Sequence, residues 1–314
     1  MVMMMDKSFI SIYLEMLDYD KMPKILEKYL LSPSLLRLKN VGYFCGMDFA
    51  SKDVYNFKER ISRYDHSLTV ALLTWKLTRD IKATLAAMFH DVSTPCFSHV
   101  IDYMNKDYDK QESTEEKTEE IIRNDIYLLK CLEEDNILVD DIIDFKRYSI
   151  VDLDRPMLCA DRLDGVILTG FMWTKSLSID DVRNIINDLM VVLNEFGELE
   201  ISFKTKKIAE VVLQTSELID IYCHSDEDNY MMELLAKIAK RAIDLGLVLY
   251  DELFLLDEDE VFKRIEESDD VWLKSDVDLF KNILISDIST IEMPYVKVRK
   301  LEPIVLGERI KKAL

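Results

Sequence analysis

Apolar residues recur at helical spacing along most of the chain, and in three places the pattern carries ionisable groups onto an apolar face. From Arg63 to Leu77, positions His66, Val70, Leu73 and Leu77 line one side of a predicted helix. Asp80 predicts the cap of the next helix, whose buried stripe is Ile81, Leu85, Met88 and Phe89. That run leads into His90-Asp91, and Pro95 marks its end. Asp154 with Pro156 predicts the opening of a third helix, in which Met157, Leu158, Asp161, Asp164, Gly165 and Leu168 are neighbours.

Elsewhere the pattern predicts further helices. Residues 8 to 31 alternate apolar and charged positions, and Ser32-Pro33-Ser34 breaks the run. A helix is expected through Phe97 to Tyr103. Ser113 and Glu116 form a capping-box pattern for a long helix to about Leu132. Beyond Trp173 come amphipathic helices separated by acidic patches at 225–229, 257–260 and 266–270. Tyr295-Val-Lys-Val and Pro303-Ile-Val-Leu predict a small β element. The fold class expected is all-α, with a core over residues 1–175 that includes a helical lead-in, and a C-terminal helical region over 176–314.

Composition agrees with helices: the 314 residues include only 7 glycines and 6 prolines. A formal charge of −20 argues against broad binding to nucleic acid, because a polyphosphate backbone is repelled. A small anionic substrate is still compatible if arginines and a metal reverse the field at one site. The five cysteines (Cys45, Cys96, Cys131, Cys159, Cys223) are scattered and read as reduced thiols, which predicts a cytoplasmic protein. No apolar stretch of membrane-spanning length is present, and the opening Met-Val-Met-Met-Met is too short for a signal peptide's apolar region. The sequence leaves a homo-oligomer open.

The chemistry lies in the stripe positions. Taken alone, His66 is most simply a hydrogen-bonded core histidine, and Asp161 a partner for Arg162 or Arg63. Together they change the reading. A carboxylate in an apolar stripe needs a cation, and imidazole nitrogens beside carboxylate oxygens are the donors of a divalent-metal site. Asp91, close to the C-terminal end of its helix, also needs a compensating cation there. His224 sits in the acidic segment His-Ser-Asp-Glu-Asp and reads as an exposed loop residue.

The set His66, His90-Asp91 and Asp161 resembles the four-ligand signature of the HD-domain metal-dependent phosphohydrolases. Arg63-Tyr-Asp-His66-Ser-Leu and the run from His90 to His99 are similar to the deoxynucleotide triphosphohydrolase (SAM-and-HD-domain) branch. The resemblance implies one divalent ion held by His66, His90, Asp91 and Asp161, with Mn, Fe, Co, Ni or Zn suited better than Ca. It implies phosphate contacts from Arg63 and Arg162, substrate contact from Asp164, and proton relay by His99 and Asp102. The ion would polarise a phosphoryl oxygen or activate a water.

The departures from that branch are as specific. Thr94 stands where a histidine is usual, and Gln111-Glu112 replaces a His-Glu pair. Gly165 takes the place of a sugar-packing tyrosine, and a sugar-reading glutamine is replaced near Tyr43. Hydrolysis of a nucleotide or related small phosphate ester is therefore expected, without preference for deoxynucleoside triphosphates. The alternative is a nucleotide-binding regulator that keeps the metal site and turns over weakly.

Overall fold

The computed structural model describes residues 7–108, 115, 117–288 and 297–310. Its elements are built outward from one helical hairpin. α1 (Phe9–Met16), α2 (Lys24–Glu27) and α3 (Pro33–Arg37) lead into α4 (Arg63–Thr78) and α5 (Ile81–Phe89). Ser62 starts α4 with a capping box: its hydroxyl accepts from Asp65 N–H at 3.1 Å, and Asp65 Oδ2 accepts from Ser62 N–H at 2.9 Å. Arg79, at φ +57°, ends α4 in the left-handed region. Asp80 then caps α5 through the N–H groups of Lys82 and Ala83. The tight turn forces the two helices together, so Val70, Leu73, Leu85, Met88 and Phe89 are all buried.

Several shorter helices follow: α6 (Val100–Met104), α7 (Thr118–Asn124), α8 (Ile126–Glu134) and α9 (Asp140–Ile143). α10 (Ala160–Met172) returns to pack on α4, and α1 closes over it with Phe9 stacked on Phe171 at 3.9 Å between ring centroids. α11 (Ile179–Asp188), α12 (Lys206–Cys223), α13 (Asp226–Asp244), α14 (Glu258–Glu266) and α15 (Val271–Asn282) complete the helices of the described residues. One contiguous apolar core runs from Phe9 to Val305.

The described residues are mostly helical, as expected, and the small β element is larger than the C-terminal one foreseen. β1 (Leu189–Leu193) pairs antiparallel with β2 (Leu199–Phe203), β3 (Ile304–Val305) runs parallel to β2, and β4 (Glu308–Arg309) closes the sheet. Leu-Met-Val-Val-Leu is too short for a helix and rich in β-branched residues, and Gly197 at φ +79° gives the hairpin its turn. Buried Glu200 is matched by Arg309, whose guanidinium donates to both carboxylate oxygens at 2.9 Å. The Pro303 segment forms β3. Lys297 and Val298 are not in a strand, and Tyr295 and Val296 lie outside the described residues.

Other boundaries differ for local reasons. The run from 8 to 31 is broken by Asp18 at φ +59° and by Pro23. Phe97 and Ser98 have φ of +66° and +46°, so α6 begins only at Val100. Ser113 and Glu116 lie outside the described residues. The helix expected to follow them is divided at Asp125, which caps α8 and also accepts from Ser32 and Ser34. Pro156 lies in a turn, four residues before α10 starts. The acidic patches at 225–229 and 257–260 are helix starts, and 266–270 joins the end of α14 to the start of α15: Ser225, Asp257 and Asp270 cap α13, α14 and α15. Carboxylates in a first turn are favoured by the macrodipole.

Candidate metal centre and its pocket

α4, the end of α5 and the first turn of α10 bring four ionisable side chains to one point. His66 Nε2 lies 3.0 Å from Asp161 Oδ1 and 3.8 Å from Asp91 Oδ2. His90 Nε2 lies 3.6 Å from Asp161 Oδ1 and 3.7 Å from Asp91 Oδ1. One donor atom from each of His66, His90 and Asp161 falls within 4.8 Å of the others.

The outer nitrogens decide which atoms face inward. His66 Nδ1 is 2.8 Å from Asp164 Oδ2, and His90 Nδ1 is 2.7 Å from the carbonyl of Ala87. A carbonyl only accepts, and an ionised carboxylate likewise, so each Nδ1 carries a hydrogen and each Nε2 is the nitrogen that faces the cluster. His90 Nε2 is buried and has no hydrogen-bond partner among the described residues. An orphaned imidazole nitrogen beside two carboxylates fits a divalent transition ion.

Electrostatics agree. Burial would lower the His66 pKa, but Asp161 and Asp164 reverse this and hold it at about 10. Burial would likewise raise Asp161 and Asp91. The two imidazoles pull Asp161 well below the carboxylate range, while His90 and Arg63 bring Asp91 to about 2. The bare cluster therefore takes up protons that a cation would displace. A second grouping, Asp152, Cys159 and Asp161, already has its cation, because Arg162 donates to Asp152 at 2.8 Å.

The remaining expected site residues divide into those facing the pocket and those behind it. Arg63 donates to Asp91 Oδ2 at 2.9 Å and lies over the Tyr43 ring, and its Nε has no partner among the described residues. Arg162 and His99 also line the pocket. Asp102 is fully buried and accepts from His99 Nδ1 at 2.8 Å, so it positions that imidazole and cannot touch substrate. Asp164 is the clear correction. It has no exposed surface, and its oxygens are engaged by Tyr13 Oη, Thr69 Oγ1 and His66. It cannot bind substrate from there, and its role is to orient His66. The space over Gly165 is also not open, because a Cβ there would meet the Tyr43 hydroxyl at 3.1 Å. Gln111 and Glu112 lie outside the described residues. His224 is exposed at the end of α12, as expected.

Sequence reasoning missed the groups that brace the loop after His90-Asp91. Arg37 donates to the carbonyls of Val92, Thr94 and Leu256, and buried Glu258 accepts from the N–H groups of Phe97 and Gly42. Thr94 is wholly buried in this loop. The pocket is also lined by aromatic rings, with Phe44 stacked on Phe57 and Tyr55 next to Trp173. Asp228 accepts from Tyr55 Oη at 2.5 Å, and burial raises its pKa to about 6.

Comparison with known proteins takes up the same segment, since the family model described as HD domain matches residues 63–165. This stretch is similar to HD domains. The match begins at Arg63 and ends at Gly165, so it includes all four residues of the cluster. An uncharacterized protein of Bacillus subtilis, YdhJ, is 27% identical over 242 residues, covering 75% of this chain and 69% of that protein. The metal-dependent phosphohydrolase cns2 of Cordyceps militaris is 20% identical over 260 residues, covering 78% of this chain and 71% of that protein. Both alignments are longer than the HD domain itself. Among the described residues no helix is long and apolar enough to cross a membrane.

Proposed function

We propose that this chain is a metal-dependent phosphohydrolase acting on a nucleotide or a related small phosphate ester. The observation that carries the reading is the pair of imidazoles whose Nδ1 atoms are fixed from behind, leaving both Nε2 atoms aimed at Asp91 and Asp161. The phosphohydrolase name of the Cordyceps relative supports the same reading.

His66, His90, Asp91 and Asp161 would hold one divalent cation, which supplies Lewis acidity toward a phosphoryl oxygen and toward water. Arg63, anchored on Asp91, presents a planar guanidinium beside the cluster for the phosphate oxygens. Arg162 adds positive charge from the adjacent position of α10. His99 is held by Asp102 through Nδ1–H, and burial keeps its pKa below the usual value. Its Nε2 is therefore a neutral base at the pocket wall. The aromatic part of the lining suits a planar ring attached to the phosphate. A cavity of about 230 Å³ suits one small molecule rather than a polymer.

A phosphate-release screen with Mn on nucleoside mono- and triphosphates and a chromogenic phosphate ester tests the proposal. Release that stops with chelation and falls sharply in Arg63→Ala supports it. Tight nucleotide binding without release under any metal would favour a regulator instead.

A further inference from the structure

The same pocket holds more positive charge than one phosphate requires. Four guanidinium groups line it: Arg63, Arg155, Arg162 and Arg299. Arg63 is matched by Asp91 and Arg162 by Asp152. Arg155 has no hydrogen-bond or ion-pair partner among the described residues, although its neighbourhood is largely buried. Burial and the adjacent charges of Arg299 and Arg162 depress its pKa to about 10. In a chain of net charge −20, converging like charges around one cavity call for an anion.

The two segments that bring these groups together are fastened to each other. Arg155 lies in the turn before α10, and Arg299 lies in the C-terminal segment that crosses the pocket. Glu302 N–H donates to the Pro156 carbonyl at 2.9 Å, and Arg299 N–H donates to Asp220 Oδ1 of α12 at 2.6 Å. Leu301, between them, is buried against the pocket. The arrangement is thus anchored by backbone contacts on both sides, which is how a site holds charged groups in place before a ligand arrives.

We propose that Arg155 and Arg299 form a second anion subsite in this pocket, which takes a second phosphate group carried by the substrate. The inference rests on the phosphohydrolase reading for the first phosphate, placed at the metal cluster. It selects substrates with two phosphate groups, either joined as a diphosphate or separated on one small molecule, over simple monophosphates.

Equilibrium titration of the full chain separates this from hydrolysis. Adenosine 5′-monophosphate, ADP and adenosine 3′,5′-bisphosphate are the probes, with EDTA present so that no turnover occurs. At least one of the two-phosphate probes should bind about tenfold more tightly than the monophosphate. Arg155→Gln and Arg299→Gln should each bring that ratio to within about twofold, while the exposed-surface change Arg183→Gln keeps it. Arg155→Gln removes no hydrogen bond or ion pair among the described residues, and unchanged melting would confirm a folded variant. Equal affinity of wild type for all three probes, or a preference that persists in folded Arg155→Gln, would overturn the subsite. If the preference is present but Mn supports no phosphate release from any probe, the subsite stands and the hydrolase reading fails.

Discussion

Asp164 Oδ2 lies 2.8 Å from Nδ1 of His66, so a fully buried carboxylate in α10 determines which nitrogen of a histidine in α4 faces the cluster. Tyr13 Oη and Thr69 Oγ1 donate to the same carboxylate at 2.8 and 2.9 Å. The acid is thus supported by α1 and α4 and cannot rotate away. Replacing it by Asn preserves the shape but lets an amide N–H face His66. Asp164→Asn should lower divalent-metal affinity by about 10–100-fold, as loss of such outer partners does elsewhere. Competition with a metal-chelating dye checks this, and unchanged affinity would show that Asp164 is only a core hydrogen-bond acceptor.

Proton release on metal binding is the second expectation. With no cation present, Asp161 and Asp164 hold His66 at about 10, so it is an imidazolium at neutral pH. Only neutral imidazole can donate its Nε2 lone pair to an ion. Apparent metal affinity should therefore rise with pH through the neutral range, by about tenfold per unit for each proton displaced. Calorimetry of Mn binding in buffers of different ionisation enthalpy counts those protons. A count of zero would mean that the ion binds elsewhere.

The metal-free fold should prefer mildly acidic conditions. Desolvation raises Glu258 to about 7 and both Asp48 and Asp228 to about 6. For such groups the folded state holds protons that the unfolded chain releases. Their stabilisation is complete below the unfolded values near 4 and is lost as pH rises through 6 to 7. His66 acts in the same sense, its contribution being present below the unfolded value of 6.5 and lost toward about 10. Asp91, depressed to about 2, contributes above its unfolded value and loses that only in strong acid. In EDTA the melting temperature should be higher at pH 5 than at pH 8. A rise from pH 5 to pH 8 would contradict these assignments.

Arg37 connects the fold to the site. Its guanidinium satisfies three carbonyls, two of them in the loop that follows His90-Asp91. Arg37→Ala strands those acceptors and should cost about 2–4 kcal/mol of stability. It should also lower phosphate release more than melting alone explains, because Asp91 is no longer held in register. Denaturant unfolding with parallel initial rates reads both effects. A loss below about 0.5 kcal/mol would place those carbonyls in contact with water instead.

The sequence carries more of the site than of its surroundings. Helical spacing puts His66 on the buried face of α4, and His90, Asp91 and Asp161 stand out through the short motifs that carry the family resemblance. The resemblance implies substrate contact from Asp164, and with Asp161 and Asp164 one turn apart, spacing cannot say which of the two faces the pocket. Tyr13, Arg37 and Glu258 act across long sequence separations, where no local pattern exists. The Tyr43 hydroxyl comes within 3.1 Å of where a Cβ on Gly165 would lie, from a different segment and without a local pattern to announce it. The β1–β2 hairpin escapes sequence reading because one short apolar run looks alike in helix and strand.

Elemental analysis of the purified chain, before and after reconstitution with Mn or Fe, tests the central claim most directly. About one divalent ion per chain is expected, lost in His90→Ala and Asp161→Ala. A chain that takes up no ion under any of these conditions, or one that keeps it in both variants, would contradict it.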